Sequence, residues 1–270
     1  MPELPEMETY KKLLSERVIN KQITKVLINR EKSINVEPSL FTQEVLNRKI
    51  NSIERRGKYL IFHLDSGKCF LLHLMLGGLM YVGKTEDDSP ARTKQIIIHF
   101  NEEHLSFIGL RLGYLHLHSY KEINELLDKL GPNPLSPQFT INEFTGLTRQ
   151  RRGILKTTLQ NQAFLAGIGN CYTDEICFEA RLLPTRKLNE LSDEETNRLF
   201  SSIKNVLNFA IDSGGYIELP LFTGDQLTGG YNSLCKVYDR NGENCERCGV
   251  LIIKESISSK KTYYCSNCQK

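Results

Sequence analysis

The chain has 270 residues, 40% hydrophobic and 25% charged, the balance of an ordinary globular protein with enough length for two moderate cores and a metal-held appendage. No run approaches the roughly 18 apolar residues of a membrane span, and the polar N-terminus lacks a signal peptide's apolar stretch, so a cytosolic protein is expected. A formal net charge of +3 is too small to demand a polyanionic partner and permits one only if the basic residues cluster.

The chain opens Met1-Pro2-Glu3-Leu4-Pro5-Glu6. Tyr10, Leu13, Leu14 and Val18 then recur at helical spacing, which predicts a helix over Glu3 to Asn20 with Pro2 just ahead of it. A proline beside a carboxylate at such an end is a candidate amine catalyst once Met1 is removed. From Gln22 to about His118 the pattern changes to short alternating or apolar runs: Ile23 to Ile28, Tyr59 to Leu64, Cys69 to Leu74, Gln95 to Phe100 and Leu105 to Leu117. Turn signals such as Asp65-Ser66-Gly67 separate them, which predicts an antiparallel β-sandwich, with a helix interrupting at Leu40 to Leu46.

Leu130-Gly131-Pro132-Asn133-Pro134 ends one helix and cannot easily start another, so it reads as a linker. The pattern beyond is helical to about Gly214. Ser192-Asp193-Glu194-Glu195 is a capping box ahead of Leu199, Ile203, Val206, Leu207 and Ile211, and Gly214-Gly215 supplies the stop. Gly167-Ile168-Gly169-Asn170 precedes a helix over Cys171 to Ala180. With Asn170 read as the N-cap, this turn suits either a phosphate or an ordinary capped helix. Tyr216 to Asn232 reads as a long loop.

The chain closes with Cys245-x2-Cys248, sixteen residues, then Cys265-x2-Cys268, a strong four-thiolate zinc signature. All six histidines lie between residues 63 and 118, so a site made of Cys245, Cys248, Cys265 and Cys268 alone is the simplest reading, with one structural zinc per chain. The remaining cysteines, Cys69, Cys171, Cys177 and Cys235, have no such spacing and read as reduced thiols.

These motifs carry a resemblance. Pro2-Glu3-Leu4-Pro5-Glu6, Arg56-Gly57-Lys58-Tyr59, His73-Leu74, Leu130-Gly131-Pro132, Gln162 with Ala166-Gly167-Ile168-Gly169-Asn170-x-Tyr172-x-Asp174-Glu175, and Tyr264-Cys265-x2-Cys268-Gln269 resemble the formamidopyrimidine-DNA glycosylase / endonuclease VIII family, in the family's order and across the whole chain. The resemblance implies an α+β multidomain fold: an N-terminal antiparallel β-sandwich with flanking helices, a helix-two-turn-helix domain and a four-cysteine zinc finger, with damaged DNA held between the halves. The boundaries expected are 1–130 for the catalytic sandwich, 131–145 for a linker, 146–234 for the helix-two-turn-helix domain with its lesion loop, and 235–270 for the zinc finger.

It also implies roles. Pro2 attacks C1′ of the damaged nucleotide, expels the base and holds the sugar as an iminium that drives strand scission by elimination. Glu3 protonates the opening sugar or shuttles protons, and Glu6 supports the site from the helix's first turn; without Pro2, both read as helix-dipole carboxylates. Lys58, read as lying on a strand after a glycine, delivers its charge to a phosphate beside the lesion, where in isolation it is a solvated strand-end lysine. Asn170 and His73 contact the backbone, His73 having a satisfied sheet histidine as its alternative. Lys260 takes the place of the zinc hairpin's usual arginine and retains charge without the bidentate fork.

The departures fall at the reading end. Family members commonly fill the gap left by an everted nucleotide with a Met, an Arg and a Phe on two sandwich loops. Leu76 matches the first, and anchoring on Gly113 puts Leu110 and Leu112 at the others, with Arg111 one residue away as a DNA contact in reserve. Tyr216-Ile217-Glu218-Leu219-Pro220 replaces the polar sequence usual where the loop contacts an everted purine. The reading is therefore a bifunctional DNA glycosylase and AP lyase of base excision repair, monomeric and nucleoid-associated through DNA in a bacterial cytoplasm. Its substrate is expected to be other than simply oxidised guanine opposite cytosine, and single-stranded lesions are expected to serve at least as well as duplex ones. The alternative is a damage- or junction-binding protein of the same fold with little excision. A generic zinc-ribbon accessory protein leaves the first six residues unexplained.

Overall fold

The computed structural model describes residues 1–85 and 88–270. Its first compact unit comprises Met1–Asp128 together with Ile217–Gly230, and its second Lys129–Tyr216 together with Tyr231–Lys270.

The first unit begins with α1 (Leu4–Val18), β1 (Lys25–Ile28), α2 (Pro38–Val45), β2 (Ile50–Arg56), β3 (Tyr59–Leu64) and β4 (Lys68–His73). It continues with β5 (Leu79–Gly83), β6 (Lys94–His99), β7 (His104–Ile108), β8 (Tyr114–Ser119) and α3 (Tyr120–Leu127). The strands form two antiparallel sheets, β1-β6-β7-β5 and β2-β3-β4-β8. Period-two alternation makes the sandwich. Leu60, Phe62, Leu64, Phe70, Leu72, Leu115 and Leu117 from one sheet meet Met80, Val82, Ile96, Ile98, Leu105 and Phe107 from the other in a single buried cluster. Each large apolar side chain withdrawn from water in this way contributes about 1.5–3 kcal/mol.

The run expected from Leu105 to Leu117 is two strands in different sheets. The chain crosses between the sheets at 109–113, and again at 74–78 between β4 and β5. These two tips touch so closely that a Cβ on Gly109 would lie 2.3 Å from the Gly77 carbonyl oxygen, and one on Gly113 would lie 2.4 Å from that of His73. Only glycine fits either place.

The second unit holds α4 (Ile141–Arg149), α5 (Leu155–Leu159), α6 (Asn170–Glu179), α7 (Asp193–Asp212), β9 (Ile253–Ile257) and β10 (Lys260–Tyr264). The capping box before α7 is present, the Ser192 hydroxyl accepting from the Glu195 N–H and the Glu195 carboxylate from the Ser192 N–H. α7 then buries Leu199, Ile203, Val206, Leu207 and Ala210, one helical face. A second box, Thr140 with Glu143, starts α4 inside the stretch expected as linker. The segment 217–230, expected with the DNA-binding domain, groups instead with the sandwich, because Leu221 is buried in the sandwich core.

Candidate functional site

In the first unit the N-terminal motif is built as a helix start. Glu3 is the N-cap of α1, and its N–H donates to the Glu6 carboxylate at 2.7 Å in a capping box; Pro5, in the first turn, lacks the donor that position would leave unused. Pro2, Glu3 and Glu6 are all buried, and Met1 is exposed. The helix dipole offsets only part, about 0.3–2 kcal/mol, of the hydration that buried carboxylates at a helix N-terminus give up.

Lys58 is not on a strand, as its glycine neighbour suggested. Arg56 pairs with Tyr59, so Gly57-Lys58 is the two-residue turn that joins β2 to β3. Lys58 is nonetheless only 6% exposed. Arg55, a residue without an expected role, braces this turn. Its guanidinium reaches Glu8 on α1 at 2.5 Å and the Gly57 carbonyl at 3.2 Å, tying the lysine hairpin to the helix that Glu3 caps. Burial works against ionised Glu8, but Lys11 and Arg55 outweigh it and hold the carboxyl below its ordinary value. No motif signals Arg55, because its role depends on α1 crossing β2.

His73 lies on β4 between its register partners, Tyr59 on β3 and Tyr114 on β8. The Tyr59 ring stacks on it at 4.4 Å and Tyr114 meets it edge-on at 5.9 Å. Burial, and then the Lys58 cation, push its pKa down to about 4. The imidazole is therefore neutral at pH 7, able to offer a hydrogen bond but no charge.

The two sandwich tips correct the sequence reading of the gap-filling residues. Leu110 is fully buried in the core, its N–H donating to Gln95 Oε1 at 3.0 Å and its carbonyl accepting from Arg30 at 3.2 Å. A buried leucine cannot wedge into a base stack. Arg111 is exposed beside Leu112 at 62% exposure, and Leu76 on the neighbouring tip is 64% exposed. Arg92 joins the tips by donating to the Gly77 carbonyl at 2.9 Å. The outward set is Leu76, Arg111 and Leu112: Leu76 and Leu112 stand where the match put them, and Arg111 is exposed in place of Leu110, which is drawn into the core.

In the second unit, Gly169 is the N-cap of α6 and Asn170 its first residue, not the cap. The Asn170 amide donates to the Lys261 carbonyl of β10 at 3.0 Å, which brings Asn170 next to the hairpin that carries Lys260. Ser258 and Ser259 both take positive φ at that hairpin's two-residue turn, with Lys260 opposite Ile257. Beneath Asn170, two carboxylates on α6 are buried. Asp174 accepts from Lys156 Nζ at 2.5 Å and from the Tyr263 N–H at 3.0 Å. Glu175 accepts from the N–H groups of Lys236, Val237 and Tyr238 at 2.8, 2.9 and 2.8 Å. Asp174 and Glu175 lie in the motif that follows Gly167-Ile168-Gly169-Asn170, and only the fold shows what they hold. Lys156, fully buried, carries no pattern signal at all.

The Sγ atoms of Cys245, Cys248, Cys265 and Cys268 all lie within 4.8 Å of one another, with Cys245 to Cys268 at 3.8 Å and Cys248 to Cys265 at 3.5 Å. A tetrahedral zinc with bonds of about 2.3 Å separates its sulfurs by about 3.8 Å, so the four thiols fit the ion. These cysteines hold a structural zinc. Among the described residues no other group of three or more potential ligands converges in this way, and no helix is long and apolar enough to cross a membrane.

A two-sheet sandwich headed by Pro2-Glu3, a helix-two-turn-helix unit and a four-cysteine hairpin define a DNA glycosylase architecture, and the chain belongs to the formamidopyrimidine-DNA glycosylase family. Residues 1–114 match the formamidopyrimidine-DNA glycosylase N-terminal domain, 130–219 its H2TH domain and 242–270 the zinc finger found in FPG and IleRS. The chain is 37% identical to the formamidopyrimidine-DNA glycosylase of Listeria innocua and 34% identical to that of Heliobacterium modesticaldum, each alignment covering 100% of both chains. Among solved structures, a Lactococcus lactis Fpg variant with Fapy-dG-containing DNA superposes with a TM-score of 0.91 at 28% identity over 100% of both chains. The Lactococcus lactis Fpg with abasic-site DNA gives 0.91 at 28% identity over 99% of both chains.

Two outcomes are expected. Chelation, or Cys265→Ser, removes hydrogen-exchange protection from the Tyr263 and Cys245 amides while the sandwich strands keep theirs, since the hairpin is too small to fold without metal; metal analysis near zero in intact, active protein would refute the site. For His73, a folded pKa of about 4 against an ordinary value of 6.5 means the unfolded chain binds the extra proton. Stability is thus fully present above about pH 6.5 and declines as pH falls towards 4. His73→Gln is expected to flatten that part of the thermal-melt profile, measured against wild type.

Proposed function

We propose that this protein is a bifunctional DNA glycosylase and AP lyase of base excision repair, acting as a monomer on damaged DNA in the bacterial cytoplasm. The observation that carries the reading is Pro2-Glu3 placed at the head of α1, within a capping box, in a chain that aligns from end to end with formamidopyrimidine-DNA glycosylases.

Removal of Met1 leaves Pro2 with a secondary amine whose reference pKa of about 8 keeps roughly a tenth of it neutral at pH 7. The neutral nitrogen forms a bond to C1′ as the bond from C1′ to the base breaks and the base leaves with a proton. Glu3 protonates the ring oxygen as the sugar opens, and loss of the amine proton gives the iminium. Removal of a proton from the adjacent carbon then expels the phosphate one carbon further on, and water releases the sugar remnant. Lys58, His73 and Asn170 hold phosphates, Lys58 by charge and neutral His73 by a hydrogen bond. Lys260 adds charge from the zinc hairpin, and Glu6 keeps the Glu3 turn in place.

Leu76 and Leu112 serve as apolar wedges, and Arg111 supplies the donors for the orphaned base. The changed sequence at 216–220 supports a lesion range other than oxidised guanine opposite cytosine alone. Borohydride is expected to trap a covalent adduct with abasic DNA, lost or weakened in Pro2→Gly. Glu3→Gln is expected to suppress excision more than binding. Absence of any adduct would favour the damage-binding alternative, and Met1 retained in fully active enzyme would sink the mechanism.

Arg111→Ala is expected to slow excision from duplex about tenfold, roughly 1.4 kcal/mol in barrier, while leaving single-stranded substrate unaffected, because only duplex has an orphaned base to satisfy. Single-turnover rates on matched substrates check this, and equal losses on both would reject the role. Leu110→Arg, by contrast, buries a charge in the core and is expected to destabilise the sandwich rather than restore a filler.

A further inference from the structure

The outward face of the sheet β2-β3-β4-β8 carries side chains that the glycosylase reaction does not use. Phe62 on β3, Phe70 on β4 and Leu117 on β8 point into the sandwich core, so His63, Cys69 and His118 beside them point away from it. Strand register sets these three in one row, His63 opposite Cys69 and Cys69 opposite His118. Opposite residues in an antiparallel sheet have Cβ atoms about 4.5–5.5 Å apart. A buried sulfur thus stands between two half-buried imidazoles on three adjacent strands.

The neighbours of this row orient it. His63 Nδ1 lies 3.4 Å from Cys69 Sγ, and His63 Nε2 lies 3.4 Å from the Glu54 carboxylate on β2. Zinc bonds of about 2.0 Å to nitrogen and about 2.3 Å to sulfur hold the two ligand atoms about 3.5 Å apart in a tetrahedron, close to the separation already present. A metal-ligating histidine ordinarily gives its other ring N–H to a carboxylate, the place that Glu54 takes. His118 is the open member of the row. Its Nε2 rests 3.5 Å from the Asn35 amide, at the limit of a hydrogen bond, so turning the ring towards the sulfur costs little. Asn35 keeps its place without that contact, clamped to the Leu117 backbone by bonds of 2.7 and 3.0 Å. Among the described residues the three ligand atoms do not meet as those of the closing cysteines do. Burial is the largest influence on His118 and leaves it below the ordinary histidine value, neutral at pH 7 and in the form that ligates; Glu122 opposes that shift and Lys68 adds to it. Burial, and then the Glu54 carboxylate, raise the Cys69 thiol to about 11, so a metal displaces its proton on binding.

We propose that His63, Cys69 and His118 form a second metal site, separate from the four closing cysteines, for a thiophilic divalent cation of the zinc class. Two nitrogens and one sulfur suit zinc, cobalt or nickel, whereas magnesium and calcium take oxygen ligands. On binding, the ion forms one bond to Sγ and one to a nitrogen of each ring, the S–H bond breaks, and its proton passes to solvent. Three protein ligands leave the fourth position to water. Because the ligands come from β3, β4 and β8, the ion ties the edge strand β8 to the two strands beside it. Glu54 is a positioning residue in this scheme, since it holds His63 with Nδ1 at the sulfur.

Metal counting tests this. Full-length protein is equilibrated with zinc, freed of unbound ion, and its zinc measured. Two ions per chain are expected, falling to one in Cys69→Ala. Cobalt added to the protein with its closing cysteines already filled by zinc is expected to give the intense near-ultraviolet absorption of a cobalt–thiolate bond, and Cys69→Ala is expected to lose it. His118→Gln changes a half-buried position on an edge strand, so it gives the same test without threatening the core. It is expected to weaken binding of the second ion at least about tenfold, and Glu54→Gln, which keeps all three ligands, by about tenfold. One ion per chain in wild type overturns the proposal. A second ion that Cys69→Ala retains is an adventitious ion only, and unchanged binding in His118→Gln removes the third ligand; either result overturns the site.

Discussion

The second unit depends on one buried carboxylate. Glu175, in the middle of α6, accepts hydrogen bonds from three consecutive backbone N–H groups of 236–238 and from Tyr231 Oη at 3.3 Å. Burial, the dominant influence, leaves its pKa above the ordinary carboxylate value although the three backbone donors and Tyr231 act to lower it. A buried hydrogen bond contributes about 0.5–1.5 kcal/mol net, and removing the carboxyl would leave three buried backbone N–H groups without their acceptor, at about 1–3 kcal/mol each. The adjacent Asp174 does the same for the zinc hairpin, holding the Tyr263 N–H on one side and Lys156 on the other. Two neighbouring acids on one helix thus fix the chain's approach to the four cysteines and the strand that follows.

This arrangement brings Asn170 and the hairpin that carries Lys260 together. α6 begins at Asn170, and its next turn carries Asp174 and Glu175. The hairpin is therefore set at the helix's N-terminal end, where the Asn170 amide closes the arrangement on the Lys261 carbonyl. The zinc supplies what the hairpin lacks in core, and the carboxylates supply its address. Neither alone suffices, since a folded hairpin without Asp174 and Glu175 has no fixed position, and the carboxylates without a folded hairpin have no partners.

The first unit solves a similar problem with different chemistry. A capping box seats Pro2 and Glu3 at the start of α1, and Arg55 then ties that helix to the turn that presents Lys58. The sandwich supplies rigidity through a core made of alternate residues, and its two sheet-to-sheet crossings place Leu76, Arg111 and Leu112 on adjacent tips. These three exposed residues thus ride on crossings, where register is set by which leucine enters the core. A shift of one residue there exchanges a buried leucine for an exposed arginine.

Local and short-range features were legible in the sequence alone because their physics is local. The helix at Glu3, the capping box at Ser192, the alternating strands and the paired CxxC motifs each express a spacing that the chain enforces on itself. Their order along the chain carried the family resemblance, and with it the sandwich, the helix-two-turn-helix unit and the zinc. What only the tertiary structure decided were choices between nearly equal local options. Leu110 and Arg111 are both plausible at a tip until the core claims one of them. Lys58 follows a glycine whether it lies on a strand or in a turn, and pairing of Arg56 with Tyr59 settles which. Segment 217–230 is rich in turn residues by composition, but Leu221 finds its apolar partners far away in sequence, on the sandwich. Burial and partner identity arise from contacts between distant residues, and no periodicity along the chain encodes them.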